Sequence, residues 1–234
     1  MIVGGDAELL LLLYLFPEGV EELDGAFAVY ADEPPIGFDV LETAGVREGW
    51  EDNWRAFHHG VTVGRLWVGP PWEPVPADAL SVVIDPGRAF GTGAHPTTRL
   101  CLDFLQALTP GRLLDIGCGS GVLAIAASRL GYQPVVALDI EAAAVDATRA
   151  NAAANGVVVE VEHVVADAPL PAADVVVANI SARGVLSLAG RVEAARLVTS
   201  GYLIPDTPGV PGYLRVERRI LEGWVADLHV PEAE

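Results

Sequence analysis

The sequence predicts an α/β protein, a doubly wound and mostly parallel sheet preceded by a small α+β domain. Three features carry this expectation. From Arg112 onward, short apolar runs alternate with helical stretches at 112–116, 122–130, 135–139, 141–155, 157–165 and 174–178, the order of a parallel sheet with crossover helices. The first of those runs leads into glycines at alternate positions, Gly117, Gly119 and Gly121. Upstream of a proline-rich segment at 69–81, short strand-like pieces mix with helical ones. That mixture reads as a separate α+β module over 1–72, joined by a semi-rigid linker to a main domain over 73–234.

Within the first module, Ala7 to Phe16 is expected to be helical and to stop at Pro17. Its core, Leu9 to Phe16, is too short to span a bilayer and has no basic residues before it, so a core-facing helix is expected rather than a signal segment. Ala26 to Tyr30 and Phe38 to Leu41 have strand character, with a turn at Pro34-Pro35 between them. Asp52 to Phe57 follows, and Val61 to Val68 gives two short strands around Gly64. Trp50, Trp54, Trp67 and Trp72 supply much aromatic surface; packing the small core is the commoner use of such residues, and contact with a partner the other.

After the linker, Ser81 to Ile84 reads as a strand leading into a loop dense in glycine and small polar residues, Asp85 to Thr98. A helix follows, with Leu100, Phe104, Leu105 and Leu108 at helical spacing and Thr97 or Thr98 as its N-cap. Leu113, Leu114 and Ile116 form a buried strand, and Val122 to Leu130 an apolar helix. The three glycines between them let the backbone turn sharply beside a ligand. Such a turn presents N–H groups at a helix start, where a polar or anionic ligand can meet them. A dinucleotide site wants Gly-x-Gly-x-x-Gly, and here the third glycine comes one residue early. The second strand ends in an acid, Asp139, where folds of this kind bind ribose hydroxyls; the alternative is a cap on the next helix. The fourth strand ends at Asn179, on the sheet edge where open α/β sheets bind ligands. A helix is expected from Gly184 to Leu197. An antiparallel strand pair is expected at 215–220 and 224–230.

The 234 residues carry a net charge of −18, and all positive charge is arginine. This balance argues against binding a phosphate backbone, DNA included, and suits a basic partner. Cys101 and Cys118 form no metal-ligand pattern and read as reduced thiols, so no metal is expected. A cytoplasmic monomer that does not bind membranes is expected.

Three stretches, Asp85 to Thr98, Leu114 to Ala127 and Val175 to Ile180, together resemble the ribosomal protein L11 methyltransferases, a family of Rossmann-like class I methyltransferases. Trp54 to Phe57 and Gly64 to Trp72 add a weaker match. The resemblance implies S-adenosyl-L-methionine as cofactor, with contacts at Thr98, Gly117, Gly119, Asp139 and Asn179. Asp167 is implied on the adenine side. It further implies transfer to lysine ε-amines, and to the α-amine, of ribosomal protein L11, free or on the ribosome. Asn179 and His95 would border the transfer site, His95 alternatively shaping its loop. Methylases of adenine or glutamine amides resemble one another in an Asn/Asp-Pro-Pro-aromatic signature, whereas this chain has Asn179-Ile-Ser-Ala. Transfer to another protein or a small molecule, and a non-catalytic cofactor-binding role, are the rival readings. The chain departs from the family in a short first module and in Pro205 to Gly212, where a longer segment with a late helix is usual.

Overall fold

A computed structural model describes residues 59–85 and 93–232, together with the backbone of four short strands at 2–4, 20–23, 26–29 and 39–42. The expected helix at 7–16, the turn at Pro34-Pro35, the piece at 52–57, Trp50, Trp54 and residues 86–92 of the glycine-rich loop lie outside the described residues. The chain divides into two compact units, residues 1–57 and 58–234. The first contains β1 (Ile2–Gly4), β2 (Val20–Leu23), β3 (Ala26–Val29) and β4 (Asp39–Glu42), an antiparallel sheet in the order β2-β3-β1-β4.

The expected boundary near Trp72 moves upstream in the structure. β5 (Val61–Val63) and β6 (Leu66–Gly69) form a hairpin around Gly64, and β6 pairs in parallel with β7 (Leu80–Val83). The proline-rich segment is therefore a connection inside one three-stranded sheet rather than a link between domains. Leu66 and Val68 lie buried in the core of the second unit, which ties this sheet to it. Trp67 is buried as well, in keeping with a packing role.

The main sheet has seven strands in the order β10-β9-β8-β11-β12-β14-β13. These are β8 (Leu113–Ile116), β9 (Val135–Asp139), β10 (Glu160–His163), β11 (Ala173–Asn179), β12 (Ala194–Leu203), β13 (Tyr213–Leu221) and β14 (Trp224–Pro231). The first five in spatial order are parallel, and the last two add antiparallel pairings. The class is the one expected, α/β with a mostly parallel sheet, and the closing strand pair falls where the sequence placed it.

Helix α1 (Pro96–Ala107) starts on His95, whose side chain caps it, with Pro96 in the first turn. Proline suits that place because its missing N–H has no partner there in any case. This displaces the expected cap at Thr97 or Thr98, and both threonines are buried inside the helix. α2 (Val122–Arg129) contacts β7, β8, β9, α1 and the following helix α3 (Ala142–Asn155), which accounts for a helix apolar on every side. Two asparagines of α3 tie the layers together. Asn155 exchanges hydrogen bonds with the Val83 backbone, donating at 2.6 Å and accepting at 2.9 Å. Asn151 donates to the Ser120 carbonyl at 2.9 Å, anchoring the glycine turn from behind.

A second correction concerns Gly184 to Leu197. Helix α4 (Ala182–Leu186) ends early, and β12 begins at Ala194. The Ala, Arg and Leu residues of this stretch favour helix as an isolated peptide. Pairing to β11 on one side and β14 on the other overrides that preference, because it buries Leu197, Val198, Thr199 and Ser200 between two strands.

Candidate active site

The chain order of the strands reverses between β8 and β11, and ligands of open α/β sheets bind outside the carboxyl ends at such a point. The sequence-predicted residues converge on this edge. Gly117 follows β8, Asp139 ends β9, Asn179 ends β11, and Thr98 comes from the first turn of α1.

The turn after β8 needs its glycines. Gly117, Gly119 and Gly121 have φ of 74°, 55° and 83°, in the left-handed region that residues with a Cβ rarely adopt. A Cβ on Gly117 would also lie 2.5 Å from the Ile180 side chain. Much of the turn's N–H capacity is used internally. The amides of Gly117 and Cys118 donate to the Leu138 carbonyl at 2.8 and 3.1 Å, and that of Gly121 to the Cys118 carbonyl at 2.8 Å. The amide of Gly119 donates to Asp139 Oδ2 at 2.9 Å. The turn thus offers a ligand shape and close approach more than the open donors expected of it.

Asp139 is 9% exposed and works locally in two ways. Oδ2 holds Gly119, and Oδ1 accepts from the Glu141 amide at 3.0 Å at the start of α3. The alternative reading of this acid as the cap of the next helix is corrected, since the N-cap of α3 is Glu141 and no side chain caps it. Asp139 holds the residue that precedes the helix, and each oxygen, accepting one N–H, keeps lone-pair capacity for a diol. Asn179 is half-buried, and its amide nitrogen lies 3.4 Å from Thr98 Oγ1 as donor. Thr98 is fully buried, so in this structure it stands behind Asn179 and fixes the orientation of the amide. Asp167 is exposed in the turn after β10, on the same sheet edge as Asp139 but touching none of the other site residues through a hydrogen bond among those described.

His95 caps α1 through Nδ1, which lies 2.8 Å from Thr97 Oγ1 and accepts weakly from the Thr97 amide at 3.4 Å. Its ring meets Trp224 edge-on, with centroids 4.7 Å apart and planes at 69°. Burial lowers its pKa, against the opposing pull of Glu222, so the imidazole is neutral near pH 7. Loop shaping is thus what His95 visibly does. Sequence reasoning missed Trp224, because β14 reaches α1 only through the closing hairpin. It also missed the Arg99–Glu222 ion pair at 3.2 Å, which pins the hairpin turn to α1. Ile140, 60% exposed directly after Asp139, is an apolar surface for a flat ring. Its signal was available, since an exposed apolar residue has little reason to follow a strand-ending acid.

Asp115, the acid that opens the Asp115-x-Gly117-x-Gly119-x-Gly121 run, is buried in β8 below the turn. Its Oδ2 accepts from the Ala124 amide at 3.1 Å in the first turn of α2, while Oδ1 has no hydrogen-bond partner. Burial pushes its pKa up to about 7 against the opposing Ala124 amide, with a smaller upward push from the nearby Asp139 charge. Among the described residues, no cluster of His, Cys, Asp and Glu suits a metal ion, and no helix is long and apolar enough to cross a membrane.

Comparison with known proteins bears on this geometry. The family model for ribosomal protein L11 methyltransferase (PrmA) matches residues 35–206. The chain belongs to this family. A ribosomal protein L11 methyltransferase from Pseudomonas putida (strain GB-1) is 43% identical over 179 residues, covering 74% of this chain and 60% of its own length. One from Ectopseudomonas mendocina (strain ymp) is 44% identical over 207 residues, covering 82% and 70%. The chain thus spans about 60% of the length of the Pseudomonas putida members it matches. Among solved structures, the ribosomal protein L11 methylase of Lactobacillus delbrueckii subsp. bulgaricus superposes with a TM-score of 0.67 at 27% identity, covering 75% of this chain and all of that one. Within the L11 methyltransferase family, the shared region holds the whole edge formed by Thr98, Gly117, Asp139 and Asn179.

Proposed function

We propose that this chain transfers methyl groups from S-adenosyl-L-methionine to lysine ε-amines, and to the α-amine, of ribosomal protein L11. The observation that carries the reading is the meeting of the Gly117 turn, Asp139 and the Thr98–Asn179 pair at the reversal point of the sheet, in a member of this family. The residues fit the cofactor. Asp139 has lone pairs to spare for the ribose hydroxyls, Gly117 and Gly119 keep the turn narrow, Ile140 offers the adenine an apolar wall, and Asp167 stands near its outer edge. The cofactor supplies an electrophilic methyl group on a sulfonium, ready for in-line displacement.

The remaining work falls to the protein. A lysine amine must be neutral to attack, and removing its proton at pH 7 costs about 4–5 kcal/mol from a reference pKa near 10.4. A narrow, dry pocket lowers that cost by disfavouring the charged form. Asn179, oriented by Thr98, presents its side-chain oxygen to the neutral amine. The neutral His95 and Trp224 wall the approach on the hairpin side. Alignment of amine and methyl group supplies much of the acceleration in such transfers.

The unit at 1–57 is the candidate for recognising the protein substrate, and the chain acts as a monomer in the cytoplasm. A net charge of −18 favours encounter with a basic, lysine-bearing protein over nucleic acid. Encounter therefore weakens with salt, since charges reach only about 8 Å at physiological ionic strength. The test incubates the protein with isotope-labelled cofactor and, in parallel, free ribosomal protein L11, intact ribosomes and bulk RNA. Label on amines of L11 is the expected result. Label confined to RNA or to a small metabolite rejects the substrate assignment, and no label on any of them rejects catalysis.

A further inference from the structure

Ile180, directly after Asn179, has no part in the methyl-transfer scheme, yet glycines of three separate elements are shaped around it. Gly117 belongs to the turn after β8, Gly184 to α4 and Gly201 to β12. A Cβ on Gly117 would meet Ile180 Cγ2 at 2.5 Å. One on Gly184 would meet Cδ1 at 2.9 Å and Cγ1 at 3.2 Å. One on Gly201 would run into the Ile180 carbonyl. Both branches of one side chain, and the backbone that carries it, thus bear closely on glycine.

The three glycines are not equivalent. Gly117 and Gly201 have φ of 74° and 101°, which favours glycine in any surroundings. Gly184 is outside that region and lies within α4, where alanine is the better helix former. The three atoms nearest its missing Cβ all belong to Ile180, so the isoleucine is what excludes a side chain there. The backbone of Ile180 is held from the other side. Its amide donates to the Ser200 carbonyl at 3.0 Å, where β12 slips register against β14 between Ser200 and Tyr202. Gly201 is the extra residue of that bulge, and bulges often re-aim a strand beside a site. Isoleucine branches at Cβ and is stiff at χ1, so a fixed backbone gives both branches fixed directions. Ile180 is half-buried against the apolar cluster that holds Leu114, Val176 and Val185. Filling that cluster is the plain role for it, and one that asks for no particular branching.

We propose that Ile180 is a positioning residue for methyl transfer, a wedge whose Cγ2 sets the spacing between the Gly117 turn on the cofactor side and Asn179 on the amine side. This rests on the methyltransferase reading above. The Cδ1 arm bears on Gly184 and steadies the wedge against α4. Ile180 acts through its neighbours and is not a catalytic residue. Transfer depends on the alignment of amine and methyl group, and a displacement of about 1 Å at a reacting centre costs on the order of 100-fold in rate.

Steady-state transfer to ribosomal protein L11 by the full chain, with calorimetry of S-adenosylmethionine, separates kcat, KM and cofactor affinity. Ile180→Leu conserves volume but moves the branch off Cβ, which removes Cγ2. Ile180→Val removes Cδ1 and keeps Cγ2. In Ile180→Leu kcat should fall about tenfold or more, and in Ile180→Val by a small part of that, with KM for L11 and cofactor affinity changed less than kcat. A residue that only fills space gives no such order, since Ile180→Val loses a methylene group and Ile180→Leu loses none. Should Ile180→Leu fail to fold, Gly184→Ala decides. Alone it drives a Cβ into Cδ1 and should lower both kcat and the urea midpoint. Combined with Ile180→Val, which takes Cδ1 away, both should recover. Equal kcat in the two Ile180 variants, or no recovery in the double variant, would overturn the wedge and leave the methyltransferase reading intact. A wild type that binds cofactor but places no methyl group on L11 would overturn that reading, and this role with it.

Discussion

Two buried aspartates in one sheet have opposite surroundings. Asp227, in β14, is fully buried and fully served. Arg218 donates to both of its oxygens at 2.7 Å, Tyr202 donates at 3.0 Å, and Arg215 stands 3.6 Å away. Thr199 extends the network to Tyr202 at 2.7 Å and to His229 at 3.0 Å. Asp115, in β8, is as deeply buried and has one amide. The first is a closed arrangement whose charges cancel within the fold. The second leaves Oδ1 with no hydrogen-bond partner, two residues before Gly117. The contrast separates a carboxylate that holds strands together from one that the fold leaves with a single amide.

The comparison breaks most visibly at Asp227. Asp227→Ala strands Arg218 beside a buried gap, and losing one partner of a buried ion pair costs about 3–5 kcal/mol. Urea unfolding should show that loss, while the affinity of the folded protein for S-adenosylmethionine stays close to wild type. Asp139→Ala should show the reverse weighting. Calorimetry should find binding weakened by about 1–3 kcal/mol, the scale of charge-assisted hydrogen bonds lost to a diol, with a smaller change in stability.

Trp224 sits on the same strand as Asp227 but faces α1, so it tests whether the hairpin serves both regions. Trp224→Ala should remove an edge-on contact worth about 0.5–1.5 kcal/mol. Burial is what holds the His95 pKa down, so opening that flank should raise its titration midpoint, measured by proton NMR. An unmoved midpoint would mean that the tryptophan does not cover the imidazole.

Asp115→Asn should have the smallest effect on stability at low pH, and its signature is a slope. The folded-state pKa of this acid is raised, so its contribution to stability is full below its unfolded value near 4 and is lost as pH rises towards 7. The stability of wild type relative to the variant should therefore fall across that window. A difference that is level with pH would show that Asp115 is already paired in the free protein.

The fold was legible wherever local pattern and final environment agree. The runs at 113–116 and 135–139 are apolar because both faces of the sheet are covered, and each became a strand. The misreadings fall where distant pairing decides. Ala194 to Leu197, expected as the end of a helix begun at Gly184, instead opens the strand Ala194–Leu203 because β11 and β14 flank it. The division of the chain lies at Phe57–His58 instead of Trp72 because β6 pairs with β7 across the prolines. Truncation should reflect that. A chain starting at residue 58 should fold and bind cofactor but fail to modify its protein substrate, whereas one starting at 72 loses Leu66 and Val68 from the core and should unfold at lower urea. In the site, the glycine turn, Asp139 and Asn179 announced themselves by position at strand ends. Asp115 was visible as the acid two residues before Gly117, but that one of its oxygens has no hydrogen-bond partner shows only in three dimensions. Trp224 was not visible, because nothing in sequence links it to His95.

The most direct measurement is single-turnover methyl transfer to purified ribosomal protein L11, followed by mass spectrometry, for wild type and Asn179→Ala at saturating cofactor. The wild type should add methyl groups to lysine amines of L11. The variant should be slower by about 100-fold, the scale for losing one oriented polar group at a reacting centre, with a smaller change in cofactor affinity. Equal rates in the two proteins would contradict the role given to Asn179, and no methyl group on L11 with cofactor bound would contradict the proposed reaction.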